Sequence, residues 1–143
     1  MKMSIMSDNS ILFEKAKFKM DKGILFCEFF NTDMCQRLHE EIVHLYIQAM
    51  TALCNGNPTP FLIDVRKTTG TYTIHAAKLF ANSPELKRVR ISEAYVLDTN
   101  AMKLLISSYK RIYEPLTPFV IVNNLEQAIT FCLESKKEHD TVN

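Results

Sequence analysis

Three short apolar runs, each followed by a segment with helical spacing, constrain this chain more than any other feature. They are "FLIDV" at 61–65, "ISEAYVLD" at 91–98 and "PFVIV" at 118–122. Short, nearly continuous apolar strands are typical of parallel sheets, where both faces are covered. Parallel neighbours require crossovers, and the intervening helical segments supply them. The helix after the first run starts near Thr71 to Thr73 and carries Ile74, Ala77, Leu79 and Phe80, and Pro84 interrupts it or opens a further turn. After the second run, Thr99 or Asn100 caps a helix with the stripe Met102, Leu105, Ile106, Tyr109, Ile112 and Tyr113, which Pro115 stops. After the third, Asn124 and Gln127 have capping-box spacing ahead of a last helix bearing Ala128, Ile129 and Cys132.

Upstream, "ILFEKAKFKM" (11–20) alternates between apolar residues and lysines, "DKG" signals a turn, and "ILFCEFF" is apolar again. This pattern predicts an antiparallel hairpin, with Lys15, Lys17 and Lys19 on a solvated, edge-protecting face. The stretch from Asn31 to Pro58 predicts the first helix. Asn31, Thr32 or Asp33 can cap it, its buried stripe is Cys35, Leu38, Ile42, Leu45, Ala49 and Ala52, and Asn55, Gly56 and Pro58 end it. The order is ββαβαβαβα: one α/β domain built on a single mixed, mostly parallel sheet. Its expected limits are 11–134, with a flexible N-terminus over 1–10 and a polar, fraying tail over 135–143.

The bulk properties exclude several classes. Seventeen basic and sixteen acidic residues leave a net charge of +1, which provides no general attraction to nucleic acid. No apolar stretch approaches the ~20 residues that span a bilayer, and "MKMSIMSDNS" lacks the features of a secretory signal. A cytoplasmic protein, not integral to a membrane, is expected. Cys27, Cys35, Cys54 and Cys132 form no C-x-x-C pair and are expected to be buried free thiols.

Candidate catalytic and metal motifs fail on spacing. His39 and His44 are five residues apart, so at ~100° per residue they diverge by roughly 140° around a helix and do not share a metal ion. His75 has no serine or cysteine in a nucleophile-elbow context. Three glycines do not make a Walker loop or a dinucleotide fingerprint. Asp64 and Asp98 lack the acidic pair and lysine of a two-component receiver. They lie near the carboxyl ends of neighbouring strands, where Asp98 can help start a helix and Asp64 can pair with a nearby cation. No cofactor is expected. An enzyme would need three titratable groups converging in one enclosed pocket.

The element order, with "GILFCEFF", "PFLIDVRK", "IHAAKLFA" and "AYVLDTNAMKLLISSYKRIYEPLTPFVIVNNLEQAITFCLES", resembles the STAS superfamily of sulfate-transporter and anti-sigma-factor-antagonist domains. The resemblance covers Ile11 to Leu133 and is greatest to bacterial STAS-like proteins, sometimes grouped with SEC14-like domains. It implies that the start of the helix after "FLIDV" is a regulatory position, where antagonists carry an Asp-Ser pair followed by glycine and are phosphorylated on the hydroxyl. Here Tyr72-Thr73 and Ile74 take those places: a hydroxyl remains, but the aspartate and glycine are gone. The expectation is therefore a non-enzymatic protein-interaction or regulatory module. Its switch or partner-binding edge would be Thr71, Thr73, Asp98 and Asn100, with Thr71 or Thr73 acting as a helix cap. The alternative is a small carrier or sensor of an apolar, lipid-like ligand, suggested by the SEC14-like resemblance and nine phenylalanines. An unidentified protein partner and a homodimer are both compatible with these patterns.

Overall fold

Lys22 and Gly23 both take positive φ, 55° and 75°, so the chain reverses in two residues. This turn geometry matches the twist of antiparallel strands, and β3 (Ala16–Asp21) and β4 (Ile24–Phe29) pair across it from Asp21↔Ile24 to Ala16↔Phe29. The computed structural model describes residues 3–7, 9–30, 37–38, 40–69 and 71–142. "ILFEKAKFKM" is two strands rather than one: β2 (Ser10–Phe13) ends before the exposed Glu14, and the chain bends back into β3. Residues 1–10, expected to be flexible, contain β1 (Met3–Ser7), which pairs with β2.

The remaining elements are β5 (Arg37–Leu38), α1 (Glu40–Cys54), β6 (Thr59–Asp64), β7 (Thr71–Tyr72), α2 (Ile74–Asn82), α3 (Pro84–Val89), β8 (Arg90–Val96), α4 (Asn100–Ile112), β9 (Phe119–Val122) and α5 (Leu125–Val142). The main sheet has the order β1-β2-β3-β4-β6-β8-β9, and β5 pairs in parallel with β7. It is the expected mixed α/β sheet, extended on its antiparallel side: the three pairings from β1 to β4 are antiparallel and the three from β4 to β9 parallel.

Because β4, β6, β8 and β9 succeed one another in one direction, crossovers of one hand put α1 to α4 on the same face. α5, the last of the described elements, folds onto the other face. There Ala128 and Cys132 pack against Ile24, Leu62, Ala94 and Val96. On the first face Tyr46 of α1 is ringed by Phe13, Phe18 and Phe29, with centroids 5.0, 5.3 and 5.8 Å away in edge-to-face geometry. The α1 stripe is Val43, Tyr46, Ile47, Met50 and Cys54. Of the expected stripe Ala49 is buried, but Leu45 is 40% exposed and Ala52 lies outside the core. The expected caps Asn31, Thr32 and Asp33, with Cys35 and His39, lie outside the described residues, and β5 occupies positions assigned to the helix.

Most helix starts follow their capping residues. Thr73, Ser83 and Thr99 accept hydrogen bonds from the amides of Ala76, Leu86 and Met102, and Asn124 Oδ1 accepts from Gln127 N at 2.9 Å. Pro84 opens α3 as its first residue. The tail expected to fray continues α5 to Val142. Among the described residues no helix is long and apolar enough to cross a membrane.

Candidate functional site

α4 stands off the sheet. Met102 and Ile106 reach Tyr95 and Leu97, and Tyr109 reaches Ala77 and Ala81 of α2. Alternation along β8 turns Glu93 and Tyr95 toward this side, as Leu97 just beyond it also turns, while Ala94 and Val96 face α5. Between α1, α2, α4 and the sheet lies a cavity of about 730 Å³, partly open to solvent and mainly apolar. Its walls include Tyr46 and Met50 of α1, Phe61 and Ile63 of β6, Phe80 of α2 and Ile106 of α4. Exposed or half-exposed residues of its lining, among them Glu14, Lys15, Glu41, Ile42, Leu45 and Thr68, form the rim.

Arg90 and Glu93 are the buried charged residues of the lining, and with Lys110 and Glu114 they make a buried charged cluster. Lys110 Nζ donates to Glu93 Oε1 at 2.5 Å and to Glu114 Oε2 at 2.6 Å. Tyr95 OH donates to Glu93 Oε2 at 3.0 Å, and Thr117 N to Glu114 Oε1 at 3.0 Å. Arg90 Nη1 donates to Phe80 O at 3.1 Å, while its Nη2 stands 3.8 Å from Glu114 Oε2 and its Nε has no hydrogen-bond partner among the described residues. Lys110 also sits 5.1 Å from the Phe119 ring centroid.

Burial raises the Glu93 pKa, against the opposing charges of Lys110 and Arg90. Burial also acts to raise Glu114, but the Lys110 hydrogen bond, the Thr117 amide and the nearby cations outweigh it and hold that carboxyl below its usual value. Tyr95 is pushed well up by burial and by Glu93. Tyr46 is pushed up to about 12, chiefly by burial. Among the described residues no group of three metal-ligating side chains could hold an ion.

The four residues expected to form the functional edge follow two adjacent parallel strands, β6 and β8, at their carboxyl ends. Only Thr71 lines the cavity. Thr73 caps α2, with its Oγ1 3.1 Å from Ala76 N. Asp98 and Asn100 are exposed, and Thr99 rather than Asn100 caps α4. No hydrogen bond among the described residues joins the four to one another. Asp64 is buried and receives the Arg66 guanidinium through Nε at 3.0 Å and Nη2 at 2.8 Å. His44 and His75 are exposed.

Residues 18–136 match the family model of a domain of unknown function, DUF7793. The chain belongs to the DUF7793 family. No curated protein matches it. This DUF7793 chain is similar in structure to a protein of the DUF3478 family from Shewanella loihica, described as uncharacterised and as having a SpoIIAA-like fold. The TM-score is 0.57 and the identity 14%, over 92% of this chain and 99% of that one. At that identity the likeness is one of fold, and the fold is that of the STAS domains and anti-sigma-factor antagonists.

Proposed function

We propose that the protein is a non-enzymatic, cytoplasmic carrier or sensor of an apolar small molecule held between the sheet and α1, α2 and α4. The cavity carries this reading: about 730 Å³ falls in the ~300–1,000 Å³ range of small-molecule sites. The cavity is partly open to solvent, so it is not a dry void. Solvent or a ligand therefore fills it, and apolar walls make water a poor filler. The three described cysteines are buried free thiols, which suits a reducing compartment.

Arg90, Glu93 and Tyr95 do converge on the cavity, as an enzyme would require. Their arrangement supports binding instead. Both Glu93 oxygens already accept hydrogen bonds, and Lys110 is held between two carboxylates. Cys27, the cysteine of the lining, donates to Leu25 O and its thiol is pushed well up by burial, which makes it a poor nucleophile.

A regulatory role is compatible with the same site, because Thr71 belongs both to the cavity lining and to the edge that exposes Asp98 and Asn100. A ligand that moved Thr71 would alter that edge for a protein partner. Native mass spectrometry of protein purified from its own host tests the carrier reading. A stoichiometric apolar adduct, lost when the cavity is filled by mutation, is the expected result. Protein that carries no adduct and fails to take up Nile red would overturn it.

A further inference from the structure

Arg90 is 7% exposed and lines the cavity, yet its donors are largely unused. A guanidinium offers five N–H groups. Here Nη1 is bonded to Phe80 O, Nη2 lies beyond hydrogen-bond distance of Glu114, and Nε has no partner among the described residues. Nε is shut off from the open cavity, which leaves Nη2 as the donor that this lining residue can offer a ligand. Glu93, on the same wall, accepts one bond on each oxygen, and each oxygen retains a free lone pair.

Charge counting limits what the acceptor can be. Arg90 and Lys110 balance Glu93 and Glu114, so a ligand bringing a full negative charge would leave that charge uncompensated in a buried site. The exposed carboxylates Glu14 and Glu41 outnumber Lys15, the half-exposed cation of the same lining, so the entrance is net acidic and disfavours an anion. A neutral hydroxyl meets every condition. Its oxygen accepts from Arg90, its proton goes to Glu93, and the cluster stays neutral.

We propose that the ligand is an uncharged hydroxylated lipid, with its hydroxyl against Arg90 and Glu93 and its apolar body running toward the rim at Ile42 and Leu45. This assignment rests on the cavity reading above and adds the chemistry of the polar end.

Displacement of Nile red by 1-dodecanol, by its methyl ether and by dodecanoate at pH 8 tests it on the wild-type protein. The ether is the more apolar molecule, so simple partitioning favours it over the alcohol. The expected result is that dodecanol binds roughly tenfold tighter than the ether, as a hydrogen bond to a charged group provides, and tighter than dodecanoate. Arg90→Met should abolish the preference for the alcohol. Equal binding of alcohol and ether, or tighter binding of dodecanoate, would overturn the hydroxyl assignment and leave the cavity reading standing. If Nile red and all three probes fail to bind, the cavity reading falls and takes the assignment with it.

Discussion

Lys110 reaches from α4 to Glu93 on β8, with Nζ 2.5 Å from Oε1, and neither side chain is more than 3% exposed. Glu114, four residues further on and just past the end of α4, holds the same ammonium at 2.6 Å. The pair ties a helix that stands off the sheet to the strand beneath it. Its value lies in position more than in net energy, because desolvation offsets much of a buried pair's attraction.

Removing only the cation should therefore be costly. Lys110→Met leaves two buried carboxylates with Arg90, 3.8 Å from Glu114, as their remaining cation in the cluster, and should destabilise the protein by about 3–5 kcal/mol. Urea denaturation measures this. A loss under about 1 kcal/mol would mean that water reaches the cluster and already screens it.

The two carboxyls should respond to pH with opposite sign. Glu114 is held below its usual value of 4.5, so its contribution is present above the unfolded pKa and disappears as pH falls through the lower folded one. Glu93 is raised, so its folded form keeps a proton that the unfolded chain has released. Stability from Glu93 is thus present below the unfolded value and lost as pH rises through the folded one. The differences between wild type and the two glutamine variants should therefore change with opposite sign on acidification: wild type should lose stability relative to Glu114→Gln and gain it relative to Glu93→Gln. Parallel curves would contradict these shifts.

The parallel half of the sheet was legible because "FLIDV", "ISEAYVLD" and "PFVIV" are bounded by turns and caps that act locally. The antiparallel half was less so. A single exposed residue, Glu14, separates β2 from β3 without disturbing the alternation around it. In α1 the face that turns inward depends on where the aromatic cluster of β2 to β4 lies, and Ile42 and Leu45 fit a helical stripe as well as Val43 and Tyr46 do. The polar cluster did leave a signal: Glu93 shares the period-two face of Tyr95 and Leu97, and Lys110 and Glu114 are four apart beside the buried Ile106 and Tyr109. It went unread because charged residues beside an apolar stripe usually face water. A cavity depends on how far α4 stands from the sheet, and no local pattern encodes that distance.

Thr73 gives a direct comparison of cap and switch. Thr73→Ala removes the acceptor of the Ala76 amide and should cost about 1 kcal/mol, while Thr73→Ser should cost much less. Denaturation curves of the two variants check the cap. A partner pull-down with both variants then separates the roles: if alanine weakens capture only as far as it weakens folding, the hydroxyl is a cap and nothing more.

Filling the cavity should separate binding from stability in the opposite sense. Ala77 on α2 is buried beside Tyr109 and lines the cavity, so a larger apolar side chain there has cavity volume next to it to occupy. Ala77→Leu should keep or raise the melting temperature, because about 0.8 kcal/mol per buried methylene is gained wherever the new atoms find room. The same variant should weaken Nile red binding by roughly tenfold or more, since the probe loses a comparable amount of contact. Unchanged binding with unchanged stability would place the ligand elsewhere. A loss of several degrees in melting temperature, the mark of overpacking, would mean that the space under α4 is closed in solution.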